Sequence, residues 1–395
     1  FSIGGFTFVV FKTYKMNDMK GKQGMVCMGL LLVLSSCHTG KQITASGLQR
    51  KDFQTEVNGQ HTDLFTLSNK QGMEVCITNY GARVVSILVP DRNGKREDVV
   101  CGFSTITEYM EQRQNFGSTV GRYIGRILNA RFTLDGVEYK LVPNNGKSGH
   151  ISHGGNPGFA DRIWKVEQAD THRVRLSYLS PDGENGFPGN LKVTLVYSLG
   201  EDDNALDLTY EATTDAPTVL NLSHHSFFNI SGNFTKSVED QQLWVDADRF
   251  TPYDDKKCVT GEYLQVAGTP LDFRMPHAIG ECIDADHPQL KVVNGYDHTW
   301  ELNTKGDDTR PAAWVYDPVS GRKMEIFTTE PGMQIYTGNG LKGKMTGKGR
   351  IAYPFRSAVC FETMHFQDSP NQPGFPSTVL RPGEVFRSHT VYKFE

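Results

Sequence analysis

The sequence predicts an all-β protein of antiparallel strands, a sandwich or a barrel, and three observations carry that expectation. Apolar and polar residues alternate with period two over many short stretches, as they do when one face of a strand is buried. Turn-forming residues punctuate those stretches at short intervals. No stretch of helical period reaches the roughly twelve residues of an ordinary amphipathic helix. Antiparallel strands with no helices to cover them must bury their apolar faces against each other, which means a sandwich or a barrel.

In chain order, the β-branched run RVVSILV at 83–89 is the first strong strand candidate, and Asp91-Arg92-Asn93-Gly94 turns the chain after it. Ser104–Gln112 has room for one short turn of helix. Asp135-Gly136 separates FTL from VEYKL, the strongest hairpin signal present, because a type I′ turn needs two residues that tolerate positive φ. Val174, Leu176 and Tyr178 interleave with Arg175, Ser177 and Leu179, and Asp182-Gly183 follows as a turn. LKVTLVY at 191–197 and the alternation of Leu206, Leu208 and Tyr210 with Asp207, Thr209 and Glu211 add two more strands. Pro318-Val319-Ser320-Gly321 marks a late turn. Neither a repeat at propeller or solenoid spacing nor a Pro-rich linker interrupts 48–395, so one large domain is expected there.

The first residues read as a processing segment. Lys20 and Lys22 precede an apolar run from Met25 to Leu34, too short to span a bilayer but right for a signal-peptide core. It ends in Leu34-Ser35-Ser36-Cys37, which resembles the lipobox of bacterial lipoproteins, with Cys37 as the lipidated residue; ordinary secretion with an incidental Cys is the bland alternative. The expected division is 1–36 as upstream residues (starting at Met16 or Met19) and signal peptide, 37–47 as lipidated tether, and 48–395 as the folded domain. The expected location is the bacterial cell envelope, lipid-anchored, facing the periplasm or on the outer membrane, with no membrane contact beyond the anchor. Losing residues 1–36 removes four Lys and one Asp and moves the formal charge from -4 to -7. Neither value, nor any basic run, suggests a nucleic-acid partner. The seven Cys, at 27, 37, 76, 101, 258, 282 and 360, include no CxxC, so neither a zinc ribbon nor a dense disulfide scaffold is implied.

Four polar clusters hold the candidate chemistry. Gly121-Arg122-Tyr123-Ile124-Gly125-Arg126-Ile127 pairs two Arg with flanking Gly; surface charge is the default for such Arg, yet the Gly suggest backbone pressed close to a neighbour. His153-Gly154-Gly155 puts an approachable imidazole on a loop, or is a polar turn with an incidental His. In Asn221–Asn229 the adjacent His224 and His225 point to opposite faces if the segment is a strand, so only one can serve a given cleft. Glu362 follows Ala358-Val359-Cys360-Phe361 and should sit at the end of a buried strand, where a raised pKa makes a general base; a surface Glu fits that local sequence equally well.

Together these clusters resemble the aldose 1-epimerase (galactose mutarotase) family. The matching stretches run in order from Asn79-Tyr80-Gly81-Ala82 and Pro90–Gly94 through Gly121–Ile127, His153–Gly155 and Ser180–Glu184. They continue through Asn221–Asn229, Asn294–His298, Gln334–Asn339 and Glu362–Asn371 to Leu380–Glu384. The resemblance implies a large antiparallel β-sandwich, the galactose mutarotase-like supersandwich, and interconversion of the α and β anomers of free aldohexoses such as galactose and glucose. It implies that His225 protonates the ring oxygen, that Glu362 takes the anomeric proton, and that Arg126, His153, Asp297 and Gln334 hold sugar hydroxyls. The expected partner is a small aldose, and monomer or dimer is left open. No cofactor is needed and no metal ligand is assigned; calcium, associated with some members, is left open, although no EF-hand spacing occurs. The chain departs from the family pattern at Gly125, where Asn is common, and at His224, Met364 and Gln367, where Asn, Gln and Pro are common. The alternatives are a glycoside hydrolase, with Asp297 or Asp368 joining Glu362 as a carboxylate pair, and a non-catalytic sugar-binding lipoprotein using Trp164, Trp300 or Trp314. A hexose-phosphate epimerase would need a further cluster of Arg or Lys that the motifs lack.

Overall fold

A computed structural model describes residues 42–395, which lie in one compact unit. The apolar run at 25–34 and Cys37 fall outside the described residues. No helix among the described residues is long and apolar enough to cross a membrane.

The strands of the three main sheets among the described residues pair antiparallel throughout. A nine-stranded sheet runs Lys165–Ala169, Arg173–Ser180, Leu191–Leu199, Ala205–Thr214, Phe386–Phe394, Lys323–Thr328, Ala313–Tyr316, Gln242–Val245, His277–Ala278. A six-stranded sheet runs Phe227–Phe228, Val359–Met364, Gly332–Tyr336, Asp297–Glu301, Arg249–Thr251, Leu264–Gln265, and a four-stranded one is built from Leu64–Ser68, Glu74–Thr78, Arg83–Pro90 and Arg96–Asp98. All three contribute to a single apolar cluster: Leu176, Val193 and Leu195 from the first, Trp300, Ile335 and Phe361 from the second, Val75 and Ile87 from the third. Of the sandwich or barrel that the alternation allows, this is the sandwich, since each sheet buries one face against the others.

The hairpin of Arg131–Leu134 and Val137–Lys140 turns on Asp135 at φ 51° and Gly136 at φ 80°, the two positive values that a type I′ turn requires. Where a single helical turn was expected, Ile106–Gln112 makes a seven-residue helix. Thr105 accepts the Glu108 amide while the Glu108 carboxylate accepts the Thr105 amide, so a capping box supplies what the short sequence pattern did not. A second helix, Pro288–Val293, went unpredicted because six residues are too few to display a period; Pro at its start and Asn294 at φ 60° at its end delimit it.

The sheets set the site by alternation. In Gly332–Tyr336, Met333 and Ile335 enter the core, so Gln334 and Tyr336 face the other way. In Val359–Met364, Val359 and Phe361 enter the core and leave Cys360, Glu362 and Met364 on that opposite face. Register then aligns Thr299, Gln334 and Glu362 across three neighbouring strands.

Candidate active site

On the outer face of the six-stranded sheet lies a cleft of about 250 Å³ whose lining includes Arg126, His153, His225, Asp297, Gln334 and Glu362. Residues far apart in the chain thus converge on one cavity. Glu362 is interior to its strand rather than at its end, two residues before Met364, and is 4% exposed.

Each side chain has its own anchor. His225 closes the strand Ser223–His225, which pairs with Ser118–Val120. Its ring stacks on Phe227 (5.1 Å, 18°) and meets His153 edge-on at 5.5 Å. Nδ1 has no hydrogen-bond partner among the described residues, so stacking aims Nε2 at Glu362 Oε1, 3.2 Å away. His224, on the opposite face, bonds through Nε2 to Ser226 Oγ at 2.7 Å, and burial pushes its pKa down to about 3, so it is a neutral structural group. His153 sits at φ 53° between Gly125 and Gly154. Its Nδ1 accepts the Gly125 N–H at 3.4 Å, which leaves Nε2 as the donor, and burial with Arg126 nearby lowers its pKa to about 4. A Cβ on Gly154 would lie 2.0 Å from the Gly121 carbonyl oxygen, so this close crossing of two loops admits only glycine.

Arg122, the other Arg of the first cluster, is buried and donates to the carbonyls of Ser180, Pro181, Pro188 and Gly189, a structural duty away from the cleft. Burial opposes the charge of Arg126, yet Tyr253 and Asp297 beside it hold its pKa above the ordinary value. Asp297 accepts from Gln334 Nε2 at 2.6 Å; its burial raises its pKa while Arg126 and Gln334 counter the rise. Buried Arg83 donates to the backbone oxygens of Gln114 and Phe116, pinning the loop that brings Gln114 and Asn115 to the cleft.

Burial shifts the two members of the central pair in opposite directions. Burial raises the pKa of Glu362 well above 4.5, with the charge of Asp297 adding to the rise, and burial lowers that of His225 well below 6.5. Both shifts disfavour the charged form of each group and so move proton affinity from the imidazole toward the carboxylate.

Sequence reasoning passed over Tyr253, Tyr336, Cys360, Gln114 and Asn115. Tyr253 lies outside every motif, and its hydroxyl reaches the site only because Arg249–Thr251 joins the six-stranded sheet. Cys360 carried a faint signal, two residues before Glu362 and hence on the same face. Three departures from the family pattern, Gly125, Met364 and Gln367, lie together on the cleft wall. Among the described residues His225, Cys360 and Glu362 could offer a metal three donors within 4.8 Å of one another. One nitrogen, one sulfur and one carboxylate do not suit calcium, which takes six to eight oxygens. All five Cys of the described residues are free.

The aldose 1-epimerase family model matches residues 63–393. The chain belongs to the aldose 1-epimerase family. It is 40% identical to a galactose mutarotase of Bos taurus over 331 residues, 84% of this chain and 93% of that protein. An aldose 1-epimerase of Escherichia coli K12 is 36% identical over 339 residues, 85% and 96% of the two chains. Among solved structures, an aldose epimerase homologue from C. elegans superposes with a TM-score of 0.78 at 30% identity, covering 85% of this chain and 99% of that one. A galactose 1-epimerase from Lactobacillus acidophilus gives 0.75 at 28% identity, covering 86% and 96%. The protein is accordingly an isomerase that interconverts the α and β anomers of aldoses. The rivals lose ground on geometry as well. Trp164 and Trp300 are fully buried and so cannot serve as exposed sugar platforms, and Trp314 stacks on Trp244. Asp368 is spent on the Leu128 amide and the side chains of Asn371 and Gln372.

Proposed function

We propose that Glu362 and His225 are the acid–base pair of this epimerase, that Arg126, His153 and Asp297 hold the sugar, with Gln334 bonded to Asp297 and holding it in place, and that galactose and glucose are substrates. The observation that carries the proposal is the 3.2 Å approach of His225 Nε2 to Glu362 Oε1, both buried, at a cleft lined by polar side chains. Ring opening removes a proton from O1 and delivers one to O5, two oxygens on the same carbon-centred unit. The carboxylate takes the first and the imidazolium gives the second, leaving a carboxylic acid, a neutral imidazole and an open aldehyde. Rotation about C1–C2 followed by the reverse transfers closes the other anomer. The pair begins and ends each turn with the same proton count, so no proton need be exchanged with solvent. Burial favours this cycle, because it brings the neutral acid–imidazole form closer in energy to the ion pair. Residues His153, as a neutral Nε2–H donor, and Arg126 and Asp297, as charged partners, suit hydroxyl groups. The chemistry needs protons alone and no metal or redox cofactor.

Polarimetry on freshly dissolved α-D-galactose and α-D-glucose tests the reading: the protein accelerates the loss of rotation beyond the buffer rate, and a rate equal to the buffer overturns it. Release of phenol from an aryl glycoside would instead support a hydrolase. For the cellular setting, the run from Lys20 to Cys37 supports a lipid-anchored envelope protein. Radioactive palmitate should label the wild type in cells and not Cys37→Ala; label on that variant would remove the anchor.

A further inference from the structure

The amide side chains of the cleft are unevenly occupied. Gln334 Nε2 donates to Asp297 Oδ1 at 2.6 Å and to Tyr253 Oη at 3.5 Å, while its Oε1 accepts from Thr299 Oγ1 at 2.5 Å and from Gln367 Nε2 at 3.3 Å. All four of its hydrogen-bonding positions are therefore engaged. Gln367, 4% exposed and also lining the cleft, donates from Nε2 to Tyr253 Oη at 2.6 Å and to Gln334. Among the described residues its Oε1 accepts only a 3.3 Å contact from the Arg126 backbone N–H, which leaves a lone pair open. The seat of this side chain is the bare backbone of Gly125. A Cβ there would stand 2.6 Å from Gln367 Cγ and 3.2 Å from its Cδ. Gly125 also sits at φ +75°, and its amide and carbonyl bond His153.

We infer that Gln367 is a specificity-determining residue: seated against Gly125 and held by Tyr253, it presents Oε1 to one hydroxyl of the bound aldose, while the saturated Gln334 serves to orient Asp297. Gly125 and Gln367 then act as one unit, since any side chain at 125 evicts the amide from its seat. The inference rests on the cleft being the sugar site.

The test measures kcat and KM by polarimetry for glucose, galactose and xylose, in wild type, Gln367→Ala, Gln367→Glu, Gly125→Asn and the Gly125→Asn/Gln367→Ala double variant. Asn is chosen at 125 because it tolerates the left-handed region better than other side chains. Gln367→Ala should raise KM more than it lowers kcat, and should change the kcat/KM ratio between two of the sugars by about tenfold or more, as expected when a site loses a designed hydroxyl contact. Gln367→Glu keeps the acceptor oxygen and should change that ratio less than Ala does. Gly125→Asn should reproduce the altered ratio, and the double variant should add little to either single one. Equal proportional losses for all three sugars, or additive losses in the double variant, would overturn the inference. Melting curves establish folding; if Gly125→Asn does not fold, the Ala and Glu variants at 367 decide alone. A wild type inert on all three sugars would overturn the assignment of the cleft, a result distinct from an active wild type that Gln367→Ala leaves unselective.

Discussion

Replacing Glu362 by Gln isolates the proton acceptor from the shape of the site. Gln has the size of Glu and keeps an oxygen or an amide within reach of His225 Nε2, now 3.2 Å from Glu362 Oε1, so the imidazole need not move. The amide cannot take the O1 proton at neutral pH. A positioned general base contributes roughly 10²- to 10⁴-fold, which at about 1.36 kcal/mol per decade is about 3 to 5 kcal/mol of barrier. Stability should move the other way. Burial raises the folded-state pKa of Glu362 well above 4.5, so ionising this carboxyl costs more in the folded chain than in the unfolded one. A carboxyl of that kind opposes folding above its unfolded pKa, and Gln removes the penalty. The expected result is a kcat/KM lowered by two to four orders in polarimetry, with a melting temperature at pH 7 equal to wild type or higher. A folded Gln variant within tenfold of wild-type activity would refute Glu362 as the base and, with it, the reasoning from burial to mechanism.

Four further outcomes follow from the same geometry. His225→Asn should lower turnover by roughly 10²- to 10⁴-fold, and full activity would remove His225 from the pair. Since burial raises Glu362 well above 4.5 and lowers His225 well below 6.5, the two limbs of the kcat/KM pH profile should be displaced from those ordinary values; limbs that fall at the ordinary carboxylate and imidazole values would contradict the shifts. Asp297→Asn should raise KM by about 10- to 100-fold, the worth of a charged hydrogen bond, measured against initial rates at several sugar concentrations. His389 bonds Asp207 at 3.1 Å and Asp308 at 2.7 Å, and the Asp207 contact leads in raising its pKa to about 9. Its stabilisation is therefore complete below pH 6.5 and fades as pH rises through 9, so His389→Gln should lower the melting temperature at pH 6 and converge on wild type above pH 9.

The sequence was legible where physical signals are local. Alternation at 174–179 and 206–211, and Asp135-Gly136 with its two positive φ values, carry their meaning within a few residues. The separation of His224 from His225 needed only the two-residue repeat of a strand. Family resemblance then named Arg126, His153, Asp297 and Gln334 as sugar-holding residues, and the fold gathers all four at one cleft. What the sequence alone determined is therefore the strand pattern, its turns and the residues able to do acid–base work. Tertiary structure decided the rest. Only the register of Thr299, Gln334 and Glu362 shows that Gln334 is already saturated. Only the close approach of residue 125 to residue 367 shows why a glycine stands beside Arg126. The opposed pKa shifts of Glu362 and His225 likewise come from burial, and burial is a sum over neighbours drawn from the whole chain.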